Sequence, residues 1–233
     1  MDPGTVGLGS VGQDSMDLRN HVVVVAGATG RVGSCLCRLV LAGGGKVAAA
    51  VRKPWQVARL QDELGKERLL VGLVPALDTE AAAGFAKGAN DALGPVTSFV
   101  GAAGSFAPRL PGREPGQDLA EQLEANLLAN ATLARALLPG LRRRHRGTLA
   151  FVGAGPAWLA AGSAAFAAAK EALHGYVRSL AIDLEGTGIV TGVVLPTGAA
   201  TLADEGVERT ARALLQLCVA TATVPGVLLS AVE

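Results

Sequence analysis

Three glycines at intervals of three residues carry the sequence's most specific chemical signal. The valine-rich run His21–Ala26 leads directly into Gly27, Gly30 and Gly33, and a helical pattern follows. Between a strand and a helix, the first glycine permits a tight turn, the second lets a diphosphate approach the backbone, and the third lets the helix pack on the strand. The first amides of that helix then face the anion. The pattern predicts a dinucleotide diphosphate site; the alternative is an ordinary strand-to-helix turn.

Two cations stand where the adenosine ribose of such a dinucleotide would lie. Arg52 and Lys53 come about 20 residues beyond Gly33, where an NAD-binding chain places a carboxylate on the ribose hydroxyls. Arg52, helped by Lys53 or Arg31, would instead hold a 2′-phosphate in a forked, charge-assisted pair. The sequence therefore favours NADP(H) over NAD, against the alternative of two solvated charges at the end of a strand.

The elements that must position these groups alternate regularly along the chain. Short β-branched runs, Gly-containing turns and stretches of helical spacing predict parallel strands covered by helices. We expect a single α/β domain of Rossmann type, a doubly wound parallel sheet of about seven strands with helices on both faces. The predicted strands are His21–Ala26, Lys46–Val51, Leu69–Val74, Val96–Gly101, Thr148–Gly153, Ile189–Leu195 and Val227–Val232. The predicted helices are Ser34–Ala42, Gln56–Leu64, Thr79–Ala92, Leu119–Arg144, Phe166–Glu185 and Glu205–Ala220.

Composition sets limits on the class of protein. The chain has 233 residues, 50% of them hydrophobic, and a net charge of +1. One domain suits this length, and the balanced charge gives no reason to expect nucleic acid as a partner. We expect a disordered lead-in over residues 1–20 and the cofactor-binding domain over 21–233. Cysteines and histidines without ligand spacing predict no metal site and favour the reducing cytoplasm.

The uncharged run from Gly147 to Ala169 raises the question of a membrane-spanning helix. Gly153, Gly155, Pro156 and other breakers interrupt it, and alanine, which gains little from burial in lipid, dominates its apolar residues. We interpret the run as a buried strand, a loop and the start of a helix, and expect no membrane association.

Four segments in order resemble the short-chain dehydrogenase/reductase superfamily. The glycine turn is the first. The stretch Leu93–Gly104 resembles the family's fourth strand and its Asn-Asn-Ala-Gly turn, with Gly101 and Ala102 replacing the two asparagines. Asn126 matches the family's helix asparagine. The fourth segment is the helix containing Phe166 and Lys170, followed by the strand that ends at Leu195 and Pro196.

This resemblance implies an active site that lacks two hydroxyl groups. In the family a tyrosine protonates the developing alkoxide, and a lysine four residues later holds the ribose and lowers the pKa of the tyrosine. A serine orients the carbonyl and an asparagine supports a water relay. Here Phe166 replaces the tyrosine, and Gly153, or Ala154 if the loop is shifted, replaces the serine. Lys170 and Asn126 remain.

The implied roles extend to substrate and cofactor. Loss of a positioned acid typically costs about 10²–10⁴ in rate, so we expect slow reduction of ordinary ketones and easier reduction of a quinonoid or iminium-like ring. The alternative sources of a proton are Ser163 and a water held by Lys170. The catalytic positions are Lys170, Asn126, Phe166 and Gly153. The cofactor set is Gly27, Thr29, Gly30, Arg31, Val32, Gly33, Arg52, Lys53, Ala102, Ala103, Gly104, Lys170 and Pro196.

Within the superfamily the chain is most similar to dihydropteridine reductases, in its 3-and-3 glycine spacing, its Gly147–Gly155 segment and its Pro196 and Thr201. Two hypotheses follow for the whole chain. One is an NADP(H)-dependent oxidoreductase of a small, easily reduced substrate. The other is a catalytically silent NADP(H)-binding sensor or partner protein. The resemblance also implies a homodimer or homotetramer, paired through the predicted helices Leu119–Arg144 and Phe166–Glu185.

Four remaining features have structural interpretations. We expect Tyr176 to pack in the core or an interface, Trp158 to line the substrate pocket or the core, and residues 197–208 to form a short lid. The run Arg142–Arg146 ends a predicted helix, where cations favour the negative end of the dipole. Cys35 and Cys37 should point to different faces of their helix.

Overall fold

Seven parallel strands form one sheet in the computed structural model, which describes residues 16–106, 118–155, 164–196, 204–219 and 227–231. Numbered along the chain, their order across the sheet is 3-2-1-4-5-6-7. This is a doubly wound order, and it confirms the predicted fold class. The strands are β1 (Val22–Ala26), β2 (Lys46–Val51), β3 (Leu69–Leu73), β4 (Ser98–Gly101), β5 (Gly147–Val152), β6 (Ile189–Pro196) and β7 (Val227–Ala231).

Helices connect successive strands and cover both faces of the sheet. A π-helical turn over Glu124–Leu128 joins the helix Asp118–Leu123 to the helix Ala129–Arg144. The predicted long helix Leu119–Arg144 is therefore interrupted, and the interruption falls at Asn126. The helices are α1 (Arg31–Ala42), α2 (Trp55–Leu64), α3 (Thr79–Leu93), α4 (Asp118–Leu123), α5 (Ala129–Arg144), α6 (Ala164–Asp183) and α7 (Asp204–Val219).

The side chains of β1 point alternately into two cores, which explains why the sheet needs helices on both sides. Val22 and Val24 belong to a core shared with α3, α5 and α6, while Val23 and Val25 belong to a second core shared with α1 and α7. All five residues of β1 are buried. A strand that is apolar on both faces is stable only between two layers, which is why its sequence is a continuous valine run.

The start of the domain differs from the prediction. Residues 16–20, assigned to the disordered lead-in, belong to the fold. Leu18 is 1% exposed, and its amide donates to the Gly43 carbonyl oxygen at 2.8 Å. An isolated leucine among polar and glycine residues gives no periodic signal, so its burial against the end of α1 was not predictable from the pattern.

The crossover between β1 and β4 positions the site. The two strands are neighbours, with Ala26 paired to Gly101, although two other strands separate them in the chain. A crevice therefore opens at the carboxyl ends of these two strands, the place where doubly wound folds bind ligands. The arginine run lies at the last turn of α5, near the opposite ends of the strands, where Arg144 donates to the Val96 carbonyl oxygen.

Candidate functional site

The glycine turn has the geometry that its sequence predicts. Gly27 has a φ of +76°, and a Cβ there would lie 2.5 Å from the Ala102 carbonyl oxygen. A Cβ on Gly33 would lie 2.2 Å from the Gly27 carbonyl oxygen. Gly30 precedes the first residue of α1 and supplies no side-chain cap, and the first turn of α1 has no acidic residue. The start of α1 thus receives neither a cap from Gly30 nor a negative charge from its own first turn, which suits an anion site.

A cavity of about 160 Å³ lies beside this turn, between the ends of β1 and β2. Thr29, Arg52 and Gln56 line it together with Gly27 and Gly30. Arg52 thus lies beside the glycine turn. Lys53 lines neither this cavity nor the next one.

A second cavity of about 340 Å³ extends from the glycine turn toward α6. Arg31, assigned with Arg52 to one phosphate, lines this second cavity, and its guanidinium pairs with the exposed Asp204 carboxylate at 2.8 Å. The two cavities share residues on the first turn and on the segment after β4, so they form one continuous crevice. The predicted cofactor residues that line the second cavity are Gly30, Arg31, Val32, Gly33, Ala102, Ala103, Gly104, Lys170 and Pro196.

Asn126 lies in the π-helical turn and is fully buried. Its Nδ2 donates to the Gln122 carbonyl oxygen and to the Ser105 carbonyl oxygen, both at 3.1 Å, while its Oδ1 has no hydrogen-bond partner within the part of the chain that the structure describes. Gly104 lies close to both that oxygen and Lys170 Nζ, because a Cβ built there would be 2.6 Å from the oxygen and 3.7 Å from the nitrogen. A buried acceptor without a partner is a place for a water or a ligand hydroxyl.

Asn130 holds the segment after β4 and was missed by sequence reasoning. Its Nδ2 donates to the Ala103 carbonyl oxygen at 2.9 Å, and its Oδ1 accepts from the Ala103 amide at 3.2 Å. One side chain thereby fixes both polar groups of a cavity residue. The signal was the interval of four between Asn126 and Asn130, which puts both amides on one side of the helix.

Lys170 and Phe166 lie side by side on α6. Lys170 is 5% exposed, and its Nζ donates to the Val152 carbonyl oxygen at 2.9 Å and lies 5.7 Å from the centre of the Phe166 ring. Phe166 is also buried and packs edge-to-face on Phe106, with ring centroids 4.9 Å apart. The cavity wall therefore presents an ammonium beside an apolar ring, where the family resemblance implies a tyrosine.

The structure distinguishes the two candidate serine positions. A Cβ on Gly153 would lie 2.5 Å from His174 Nε2 and 2.6 Å from Leu195 Cδ2, pointing into the protein. A side chain at Gly153 would therefore have to displace the His174 and Leu195 side chains, whereas Ala154, which also lines the second cavity, already carries a Cβ. Of the two positions that the sequence leaves open for the serine, this crowding favours Ala154. His174, which the sequence analysis did not single out, makes the shortest of these contacts.

Burial lowers the pKa of Lys170 to about 8. An unfolded lysine titrates near 10.4, so between about pH 8 and pH 10.4 the unfolded chain binds more protons, and folding stability rises with pH. We expect the uncharged variant Lys170→Met to be more stable than the wild type at pH 7. The difference should shrink by about 3 kcal/mol as pH rises to about 10.5. Urea unfolding of both proteins across this range measures it.

Other groups that titrate at high pH change the stability of Lys170→Met and of the wild type by the same amount, so their effects cancel when the two proteins are compared. Burial raises the pKa of Cys37 and of Cys218 to about 12, which destabilises both proteins equally at high pH. Stability curves that run parallel for Lys170→Met and wild type would show that Lys170 is not a buried ammonium.

The remaining predicted residues are placed as follows. Tyr176 packs edge-to-face on Phe151, with ring centroids 6.3 Å apart, which confirms its packing role. Cys37 is fully buried in the core that α1 shares with the sheet, and Cys35 is half-buried against the same core. Among the residues that the structure describes, no three metal-binding side chains come together, and no helix has the length and apolar character to cross a membrane. Trp158, Ser163, Thr201 and the first part of the predicted lid lie outside the described residues.

Comparison with known proteins places this crevice in a family context. A family model described as short chain dehydrogenase matches residues 21–211. A short chain dehydrogenase from Pseudocercospora fijiensis is 29% identical over 77% of this chain and 60% of its own length. The NADP-dependent 3-hydroxy acid dehydrogenase YdfG from Salmonella typhi is 27% identical over 72% of this chain and 68% of its own length. The chain thus spans less than two thirds of the length of the first of these relatives.

Solved structures show the same fold. An oxidoreductase of the short chain dehydrogenase/reductase family from Burkholderia thailandensis superposes with a TM-score of 0.77 and 26% identity, covering 91% of this chain and 90% of that one. An NADPH-bound short chain oxidoreductase from Pseudomonas aeruginosa, described as containing an atypical catalytic center, superposes with a TM-score of 0.79 and 22% identity, covering 92% of this chain and 96% of that one.

Proposed function

Because the chain belongs to the short-chain dehydrogenase family, we propose that it is an NADP(H)-dependent oxidoreductase of a small, easily reduced substrate. The observation that carries this proposal is the continuity of the two cavities. Gly30, Ala102, Ala103 and Gly104 line both of them. A dinucleotide laid across these shared residues puts its adenosine end beside Arg52 and its nicotinamide end beside Lys170.

The residues of the crevice fit such a cofactor. A Cβ on Gly27 or Gly33 would collide with backbone atoms, so only glycine permits this turn, whose shape suits a diphosphate at the start of α1. The free Oδ1 of Asn126 and the Lys170 ammonium, both buried, suit the hydroxyl groups of the second ribose and an ordered water. Arg52 is the cation that would hold a 2′-phosphate.

When bound, the nicotinamide supplies the hydride. Lys170 orients the ribose and, because its pKa is lowered to about 8, it exchanges a proton readily near neutral pH. Asn126 holds the helix turn and offers its free oxygen to a water next to Lys170. Phe166 gives the substrate an apolar wall and no proton. This set suits a substrate that accepts hydride without forming a strongly basic alkoxide.

Quinonoid rings, including the quinonoid pterins that the likeness to dihydropteridine reductases implies, are the substrate class that we favour. An activated carbonyl compound is the next. The NADP-dependent relative from Salmonella typhi supports the choice of cofactor by its name alone. The second candidate function is a silent NADP(H)-binding sensor, favoured by the buried phenyl ring of Phe166 at the position of the acid.

One experiment separates the two candidates. Steady oxidation of NADPH with quinones or quinonoid pterins supports the reductase. Thermal stabilisation by NADPH without turnover of any ketone, quinone or pterin supports the sensor, since a ligand that binds only the folded state must stabilise it. Absence of both stabilisation and turnover contradicts the nucleotide site itself.

Arg52→Asp tests the choice of cofactor. Removing the guanidinium and adding a carboxylate should weaken NADPH binding by about 100-fold, because a charged hydrogen bond contributes about 1.5–3 kcal/mol and the new charge repels a phosphate. NADH, which has no 2′-phosphate, should lose less than about threefold. Calorimetric titration with both nucleotides measures the ratio.

Lys53→Asp is the matched control, because Lys53 is the adjacent cation and lines neither cavity. Its effect on NADPH should stay below about tenfold. Equal losses of NADPH and NADH in Arg52→Asp would discard Arg52 as the phosphate ligand.

The proposal includes a cytoplasmic homodimer or homotetramer. Pairing through α4, α5 and α6 would cover apolar side chains that a single chain leaves exposed. Ile182 is 72% exposed near the end of α6, and Leu119 on α4 is 49% exposed. Packing of such residues against a second copy is the usual way a helix face of this kind is buried.

A further inference from the structure

Gln56 connects the two turns that border the adenosine cavity. Its Oε1 accepts from the Arg52 amide at 3.0 Å and from the Lys53 amide at 2.9 Å, and its Nε2 donates to Thr29 Oγ1 at 3.0 Å. Gln56, Thr29 and Arg52 all line the 160 Å³ cavity. One half-buried side chain therefore fixes the distance between the glycine turn and the turn that carries Arg52.

The absence of a charge on the Gln56 side chain affects which ligand the Arg52 turn can bind. Two successive backbone amides that converge on one oxygen form a small concave site with positive potential, the type of backbone arrangement that holds anions. Gln56 fills that site with a neutral amide oxygen. A carboxylate would accept from the same two amides, but it would place a negative charge next to Arg52.

We infer that Gln56 determines the preference for a 2′-phosphorylated adenosine, by ordering the Arg52 turn with a neutral acceptor. This inference rests on the proposed NADP(H) function. Gln56 presents Arg52 in one position and leaves the charge of the guanidinium free for the ligand.

The substitution that tests this is Gln56→Glu, which keeps size and acceptor oxygens while adding one charge and removing the donor to Thr29. The probes are adenosine 2′,5′-bisphosphate and adenosine 5′-monophosphate, which differ only in the 2′-phosphate. We expect the bisphosphate to bind the variant about 10- to 100-fold more weakly than it binds the wild type, from repulsion between charges a few ångströms apart. The monophosphate should change by less than about threefold.

Gln61→Glu is the matched control, because it makes the same charge change on the same helix outside the cavity lining. It should leave the ratio of the two affinities at the wild-type value. Calorimetry measures both ligands, and the side-chain amide signals of Gln56 in a nitrogen-15 NMR spectrum should shift with the bisphosphate and stay in place with the monophosphate. Neither readout depends on turnover.

Equal losses of both ligands in Gln56→Glu, or no loss of either, would overturn the inference and leave the proposed function standing. Wild-type protein that binds neither probe and neither nicotinamide nucleotide would overturn both. If Gln56→Glu does not fold, Gln56→Met provides the test. It removes the three hydrogen bonds without adding charge, and its preference for the bisphosphate should fall by about three- to tenfold. An unchanged preference in that variant contradicts the inference.

Discussion

Installing two hydroxyl groups, Phe166→Tyr with Ala154→Ser, is expected to raise kcat/KM for ketone reduction by about 100-fold or more. A positioned acid contributes about 10²–10⁴ in rate. The tyrosine oxygen would extend from a ring whose centre is 5.7 Å from Lys170 Nζ, so the ammonium would lower the pKa of the new phenol. Both positions line the 340 Å³ cavity. NADPH oxidation with a panel of small ketones measures the gain.

Gly153→Ser in place of Ala154→Ser is the control for this double variant. Its Cβ would press on His174 Nε2, so it should destabilise the fold and give no gain beyond that of Phe166→Tyr alone. A double variant that folds, binds NADPH and reduces ketones no faster than the wild type would show that substrate access, rather than the missing acid, limits the reaction.

Gly27→Ala and Gly33→Ala are expected to abolish nucleotide binding, with a loss of at least about 100-fold for NADPH. An alanine at position 27 would have to adopt a φ of +76°, and its Cβ would lie within 2.6 Å of the Ala102 and Ala103 backbone. The Gly33 Cβ would lie 2.2 Å from the Gly27 carbonyl oxygen. No rotation of a side chain relieves contacts with backbone atoms, so the turn itself must move away from its diphosphate-binding shape.

Two other glycines calibrate this result. Gly30 has a φ of −76°, and a Cβ there meets only the Gly27 carbonyl oxygen, at 3.2 Å, so Gly30→Ala should bind NADPH several-fold more weakly and remain folded. Gly88 lies within α3 with open space around it, and Gly88→Ala should stabilise the protein by about 1 kcal/mol without touching binding. Nucleotide titration and thermal melting give both values. NADPH affinity that is equal in Gly27→Ala and wild type would refute the diphosphate site.

The sequence predicts the layers and the crevice well, because these depend on local patterns. The valine run of β1 can be buried on both sides only inside a parallel sheet, and the glycine turn after it has few alternative uses. Element bounds were predicted within a few residues. The π-helical turn at Asn126 was not predicted, since a single inserted residue leaves the helical spacing of apolar residues almost unchanged.

Contacts between distant segments were beyond the sequence pattern. The bond from Gln56 to Thr29 joins residues far apart in the chain, and its geometry depends on how β1 and β2 align. The crowding around a side chain at Gly153 likewise depends on where α6 places His174. For the same reason the sequence pattern could not show that Arg52 lines the first cavity and Arg31 the second.

The shared wall of the two cavities implies an avidity effect for the ligand. A molecule that fills only the 160 Å³ end or only the 340 Å³ end must give up its translational freedom for half of the contacts. Once one end of the dinucleotide is bound beside Gly30 and Ala102, the covalent link holds the other end near its own cavity, at an effective concentration in the millimolar range. Fragments should therefore bind far more weakly than the intact dinucleotide, and the span between the two ends selects for a ligand of one length.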